Sequence, residues 1–161
     1  ERGPIAMAAF DVRVLGPADL PAMRAMLSLF GSVFDEPATY TGHPPDDAYL
    51  EALLANPGFV AIAACAGTKV VGGLAGYVLP KFEQARSECY LYDLAVDAAF
   101  RRRGVATAMI EALRELAAAR NIYVIFVQAD HGDDPAIALY TKLGQREDVL
   151  HFDIAPAARR D

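Results

Sequence analysis

A chain of 161 residues, 54% apolar and 22% charged, is long enough for one domain with a real core and too apolar for a disordered chain. Its 15 basic and 21 acidic residues give a net charge of −6, which argues against the basic face of a general nucleic-acid binder and suits a cationic substrate. No stretch is long and apolar enough to span a membrane. Cys65 and Cys89 lie in apolar runs without framework spacing and read as reduced thiols of a cytoplasmic protein.

Glu1 to Ala6 precede Met7 and lack the basic start and long apolar run of a signal peptide. Residues 1–9 therefore read as a disordered or artificially added N-terminus, with Met7 the natural start. Phe10 to Leu15 alternates and predicts a strand, broken by Gly16-Pro17. Leu20, Met23, Leu27, Phe30 and Phe34 recur at helical spacing and predict an amphipathic helix. Asp35 to Pro45, rich in proline and glycine, reads as a loop. Asp46 or Asp47 caps a short second helix through Leu54. Phe59 to Ala66 and Lys69 to Leu79 flank Gly67-Thr68 as a hairpin, and Gly72-Gly73 marks a bulge or a close backbone approach.

After a polar loop, Glu88 to Val96 is the fourth strand. Ala106, Met109, Ile110, Leu113 and Leu116 form the apolar face of a third helix from about Gly104 to Arg120. Ile122 to Gln128 is β-branched and aromatic throughout and predicts a buried fifth strand. Asp134, read as a cap, and Pro135 open a fourth helix that Gly144 ends. Val149 to Ile154 predicts a last strand, and residues 156–161 a frayed tail. The order β-α-α-β-β-β-α-β-α-β describes a mixed sheet with helices packed on it, a single α/β domain over residues 10–155.

One junction carries chemistry. Arg101, Arg102, Arg103, Gly104, Val105, Ala106 and Thr107 join the fourth strand to the third helix. A glycine there lets backbone N–H groups approach an anion, the helix start adds a positive field, and the arginines add bidentate donors. A solvated basic loop is the alternative reading. A nucleoside triphosphate would need a glycine-rich loop ending in Lys-Ser/Thr, which does not occur. A dinucleotide turn would need G-x-G-x-x-G, and the run from Gly104 to Met109 breaks that pattern.

Arg101-x-x-Gly104-x-Ala106 instead resembles the acyl-CoA motif Q/R-x-x-G-x-G/A of the GNAT N-acetyltransferase superfamily, and Ala138 to Gly144 resembles its second signature. Within it, Tyr77 to Glu88, Tyr92 to Val96, Val127 to Asp130, Gly132 to Ala136 and His151 to Ile154 resemble the class I aminoglycoside 3-N-acetyltransferases, the gentamicin acetyltransferases. The resemblance runs from about Val12 to Ile154. It departs at Cys89, where the family carries an aliphatic residue, and at His131, where it carries an aromatic one.

The resemblance implies a mixed, mostly antiparallel sheet of six to seven strands with about four helices, splayed between strands 4 and 5. It implies acetyl transfer from acetyl-CoA, a cosubstrate, to an amine in a ternary complex, with no metal. Arg101 to Thr107 would bind the CoA phosphates, and backbone from Leu94 through Ala95 to Val96 the acyl end. The Val96 N–H would polarise the thioester carbonyl, and Tyr140 would protonate the leaving thiolate. Plain buried strand and core aromatic are the bland readings of these positions. The amine's proton needs an acceptor, for which Asp130, Glu88 or a water chain are candidates. From Gln128 to Asp153 six acids face two bases. With Glu83, Glu88 and Tyr92, the acids Asp130, Asp133 and Asp153 would form a wall for a cationic aminoglycoside. Asp133 also suits a turn. A homodimer follows from the family. A GNAT enzyme for polyamines or another small amine, and a non-catalytic acyl-CoA-binding module, are the rival readings.

Overall fold

Runs of small, branched and aromatic residues pair into one five-stranded sheet. In a computed structural model, residues 9–160 are described; the N-terminal stretch 1–8 and Asp161 lie outside the described residues. The chain forms two compact units, Glu1–Gln128 and Ala129–Asp161.

The first unit holds strands β1 (Asp11–Val14), β2 (Phe59–Ala66), β3 (Lys69–Pro80), β4 (Ser87–Val96) and β5 (Ile122–Val127). Its helices are α1 (Leu20–Val33), α2 (Pro37–Thr41), α3 (Asp47–Ala55) and α4 (Val105–Ala119), with a 3-10 turn at Ala98–Phe100. The strands lie in the order β1-β2-β3-β4-β5. Neighbours are antiparallel except β4 and β5, which run parallel. This is the mixed, mostly antiparallel sheet that the resemblance implies, with five strands rather than six or seven and five helices rather than four among the described residues.

Helices cover both faces because β3 lacks side chains at two successive positions. A Cβ on Gly72 would fall 2.9 Å from Val105 Cγ1 and 3.0 Å from Met109 Cε, both on α4. A Cβ on Gly73, pointing the opposite way, would run into Met26 and lie 3.2 Å from Phe30 Cζ, both on α1. The glycine pair is thus a close approach, and a register shift at Ala64/Cys65 opposite it adds the bulge. Met26, Phe30, Leu50, Ala61, Ala63 and Ala95 build the α1 side of the core. Val105, Met109, Ile110, Leu113 and Ala117 form the buried stripe of α4. Cys89 is fully buried and reduced, and burial pushes its thiol up to about 11, so it stays protonated.

Four sequence expectations change. The loop over 35–45 contains α2, which Pro37 opens by presetting the first turn. β5 is an edge strand rather than a buried one, and its Tyr123 and Val124 are exposed. Asp133, not Asp134, caps helix α5 (Asp134–Leu143) of the second unit, accepting from the Ala136 N–H at 3.3 Å. Val149 to Ile154 forms no strand: β propensity alone gives no ladder without a partner, and Val149, Leu150, Phe152 and Ile154 are exposed.

Candidate active site

β4 outlasts its partner. Pairing with β5 stops at Leu91 opposite Val127, whereas pairing with β3 continues to Val96 opposite Gly72. Among the described residues, Tyr92 through Val96 therefore have a strand neighbour on the β3 side only. The Asp97 N–H donates to the Val71 carbonyl on the β3 side at 2.8 Å. Strand alternation then turns the Ala95 N–H toward β3 and the Leu94 and Val96 N–H groups toward the side β5 has left. Two backbone donors on a fixed strand can polarise a carbonyl that enters this gap.

The start of α4 sits beside that gap, because Val105 packs over Gly72, the register partner of Val96. Gly104 is the helix cap, at φ 77°, a left-handed conformation that a side chain would strain. It offers no capping oxygen, and the Val105, Ala106 and Thr107 N–H groups find no acceptor among the described residues. Arg101, Arg102 and Arg103 are exposed and carry no ion pair among the described residues; the Arg103 guanidinium lies 5.1 Å from the Phe100 ring centre. Uncapped N–H groups, a bare Cα and three unpaired cations are a donor set that fits a pyrophosphate.

On the α1 face, β4 carries a residue the sequence reading passed over. The register with β3 skips Tyr92, so β4 bulges there, just before Asp93. Asp93 is half-buried, and its Oδ2 accepts from the Tyr40 hydroxyl at 2.8 Å. Burial raises its carboxyl above the usual range, the Tyr40 hydrogen bond pulls it down, and the negative Glu36 pushes it up. Tyr77, Tyr90 and Tyr92 surround it. Tyr92 stands 5.5 Å from the Tyr77 ring and 5.4 Å from the Tyr90 ring, and Tyr90 donates to Gln128 Oε1. A half-buried carboxylate next to free backbone donors is the signal, and it exists only once residues 40 and 93 meet.

Other sequence candidates are engaged elsewhere. Glu88 Oε1 accepts from the Tyr123 hydroxyl at 2.5 Å and lies 3.6 Å from Lys81 Nζ, which also lies 3.7 Å from Glu83. The Tyr123 bond, then Lys81, lower the Glu88 carboxyl, which makes it a poor proton acceptor. In the second unit, Asp153 pairs with His151 at 2.9 Å, and Asp133 is the α5 cap. The Asp130 carbonyl accepts from the Asp133 N–H, and its carboxylate has no ion pair among the described residues. Tyr140 is half-buried on α5; burial first, and the Asp133 charge second, raise its phenol, so it keeps its proton at neutral pH. Among the described residues no group of three or more His, Cys, Asp or Glu side chains could hold a metal ion. No described helix is long and apolar enough to cross a membrane.

Residues 24–145 match the acetyltransferase (GNAT) family. The fold superposes with a TM-score of 0.90 on an aminoglycoside acetyltransferase from an uncultured soil metagenomic sample, at 55% identity over 92% of this chain and 99% of that one. A second aminoglycoside acetyltransferase of such origin, in complex with sisomicin, gives 0.84 at 31% identity over 92% and 97% of the two chains. A ribosomal-protein-alanine N-acetyltransferase from Brucella melitensis biovar Abortus 2308 shares the fold alone, with 0.70 at 22% identity over 91% and 99%. No curated protein sequence matches the chain. With a family match over most of its length and a related structure at 55% identity, the chain belongs to the acetyltransferase (GNAT) family.

Proposed function

We propose that this acetyltransferase moves the acetyl group of acetyl-CoA directly to the 3-amino group of an aminoglycoside such as gentamicin, and so confers resistance. The observation that carries the reading is the end of β4, where two free N–H groups, a half-buried carboxylate and an uncapped helix start adjoin one another. The named relatives at 55% and 31% identity support an aminoglycoside as acceptor. Arg101 to Thr107 would hold the CoA phosphates, and bound acetyl-CoA supplies the activated acetyl group.

The acceptor reaches the site as an ammonium and must first lose a proton. Its nitrogen then bonds to the acetyl carbon, with charge on the carbonyl oxygen stabilised by the Val96 N–H. The carbon–sulfur bond breaks as a second proton leaves nitrogen. Asp93 is the acceptor we assign, in place of Glu88, with Asp130 the remaining candidate: it takes the ammonium proton, passes it to solvent before the nitrogen attacks, and is then free as a carboxylate for the second. Tyr140, assigned from the family pattern, protonates the thiolate. Glu83, Tyr92, Asp130, Asp133 and Asp153 remain assigned to the cationic substrate. A single catalytic domain over 10–155, a cytoplasmic setting and a homodimer complete the proposal; a one-protomer mass in light scattering would remove the dimer.

The direct test is thiol release from acetyl-CoA across gentamicin, sisomicin, kanamycin, neomycin and spermidine, with mass analysis of each product. Turnover with gentamicin or sisomicin and acetylation at the 3-amino group is expected. Modification elsewhere on the sugar removes the regiochemistry, and turnover of spermidine alone removes the aminoglycoside. The cofactor half is tested by Gly104→Val. A β-branched residue at φ 77° costs about 1–3 kcal/mol of strain and covers the bare Cα. The acetyl-CoA KM should rise by about tenfold or more, with the acceptor KM little changed. An unchanged acetyl-CoA KM would remove the cradle.

A further inference from the structure

We propose that Tyr40 is a positioning residue for the transfer: from helix α2 its hydroxyl holds the Asp93 carboxylate in one orientation as the proton acceptor. The inference deepens the proposed function and rests on Asp93 being the base.

Tyr40 is built to hold still. Its ring lies 5.8 Å from Phe30 of α1 and 5.7 Å from Phe34, the residue that caps the C-terminus of α1; these two rings stack on each other at 5.7 Å. The backbone that carries it is tied on both sides. The Glu36 N–H donates to the Gly31 carbonyl at 2.9 Å, the Tyr40 N–H to Glu36 at 3.3 Å, and the Gly42 N–H to Ala38 at 3.2 Å. Such anchoring exceeds what a surface loop needs, and its polar end is spent on one atom, Asp93 Oδ2 at 2.8 Å. The other oxygen of that carboxylate has no partner among the described residues, which leaves it open to a substrate proton.

The surroundings set the direction of the effect. Facing Asp93 are Tyr40 and Glu36 from α2 and its cap, Tyr77 from β3, and Tyr90 and Tyr92 from β4. Burial and Glu36 oppose the charge on Asp93, and among these neighbours only the Tyr40 hydroxyl favours it. Removing that hydroxyl therefore leaves a carboxylate that takes up its proton more readily. A base protonated in the resting enzyme is inactive, so the loss of rate falls on the acid side.

Tyr40→Phe tests this, because the ring that packs on Phe30 and Phe34 is retained. Two readouts are needed: the ¹³C carboxyl titration of Asp93 and the pH profile of kcat/KM for the acceptor. Both midpoints are expected to move to higher pH. The rate deficit should be several-fold on the acid side and shrink as pH rises, with Tm and the acetyl-CoA KM near wild type. An Asp93 titration that stays in place overturns the proposal outright. A titration that moves while the rate profile does not shows that Asp93 is not the base, which overturns the proposal through the reading beneath it. A uniform loss at every pH, with lowered Tm, reduces Tyr40 to a packing residue and overturns it as well.

Discussion

Asp93→Asn should lower kcat by about 10²–10⁴-fold while leaving the acetyl-CoA KM near wild type. Asparagine keeps the shape of the side chain and still accepts from the Tyr40 hydroxyl, so packing with α2 survives. What is lost is a carboxylate whose burial has already raised its proton affinity above that of a surface acid. The comparison with Glu88 makes the test specific. Glu88 is held by the Tyr123 hydroxyl and by Lys81, both of which favour its charged form and weaken it as a base. Glu88→Gln should cost far less than Asp93→Asn. Steady-state kinetics with a saturating aminoglycoside decide the matter. A kcat for Asp93→Asn within about tenfold of wild type would leave Asp130 or a water chain as the proton acceptor.

The contrast between these two carboxylates shows where sequence reading stops. Both stand on one strand, and both look like acids among aromatics. Their opposite tendencies come from residues far away in the chain. Tyr40 lies 53 positions before Asp93, and Tyr123 lies 35 positions after Glu88. Periodicity reports which face a residue shares, not which distant hydroxyl meets it. α2 was hidden for a related reason: Pro37, Gly42, Pro44 and Pro45 signal a loop, although Pro37 equally suits a first helical turn. The uniform apolar run of β5 pointed to burial, yet its place in the strand order leaves it at the edge. Val149 to Ile154 carried propensity without a partner. Local rules did succeed where the constraint is local. Gly67 turns the hairpin at φ 62°, Asp46 caps α3, and Gly104 opens α4 in a conformation suited to glycine.

Gly73→Val should destabilise the protein by about 3 kcal/mol or more and lower Tm by about 6–12 °C. The position has ordinary backbone angles, so the cost is steric rather than conformational. A Cβ there meets Met26 and Phe30, both essentially without exposure, and neither can swing into solvent. α1 must then lift from β3, or β3 must shift. Room made on the other side should return part of the loss: Gly73→Val combined with Met26→Ala is expected to be more stable than the sum of the two single changes predicts. Thermal unfolding of the four variants in that cycle measures the coupling, and simple additivity would remove the contact as the cause. The consequence for chemistry follows from the register. Gly73 pairs with Ala95, the residue between the Leu94 and Val96 donors. A displacement of about 1 Å in β3 carries β4 with it and turns those N–H groups away from the carbonyl, at a cost that can reach 10²-fold in rate. The same glycine that lets α1 close on the sheet thus fixes the strand end to which we assign the transfer, and any Gly73→Val protein that still folds should lose kcat out of proportion to its loss of acetyl-CoA binding.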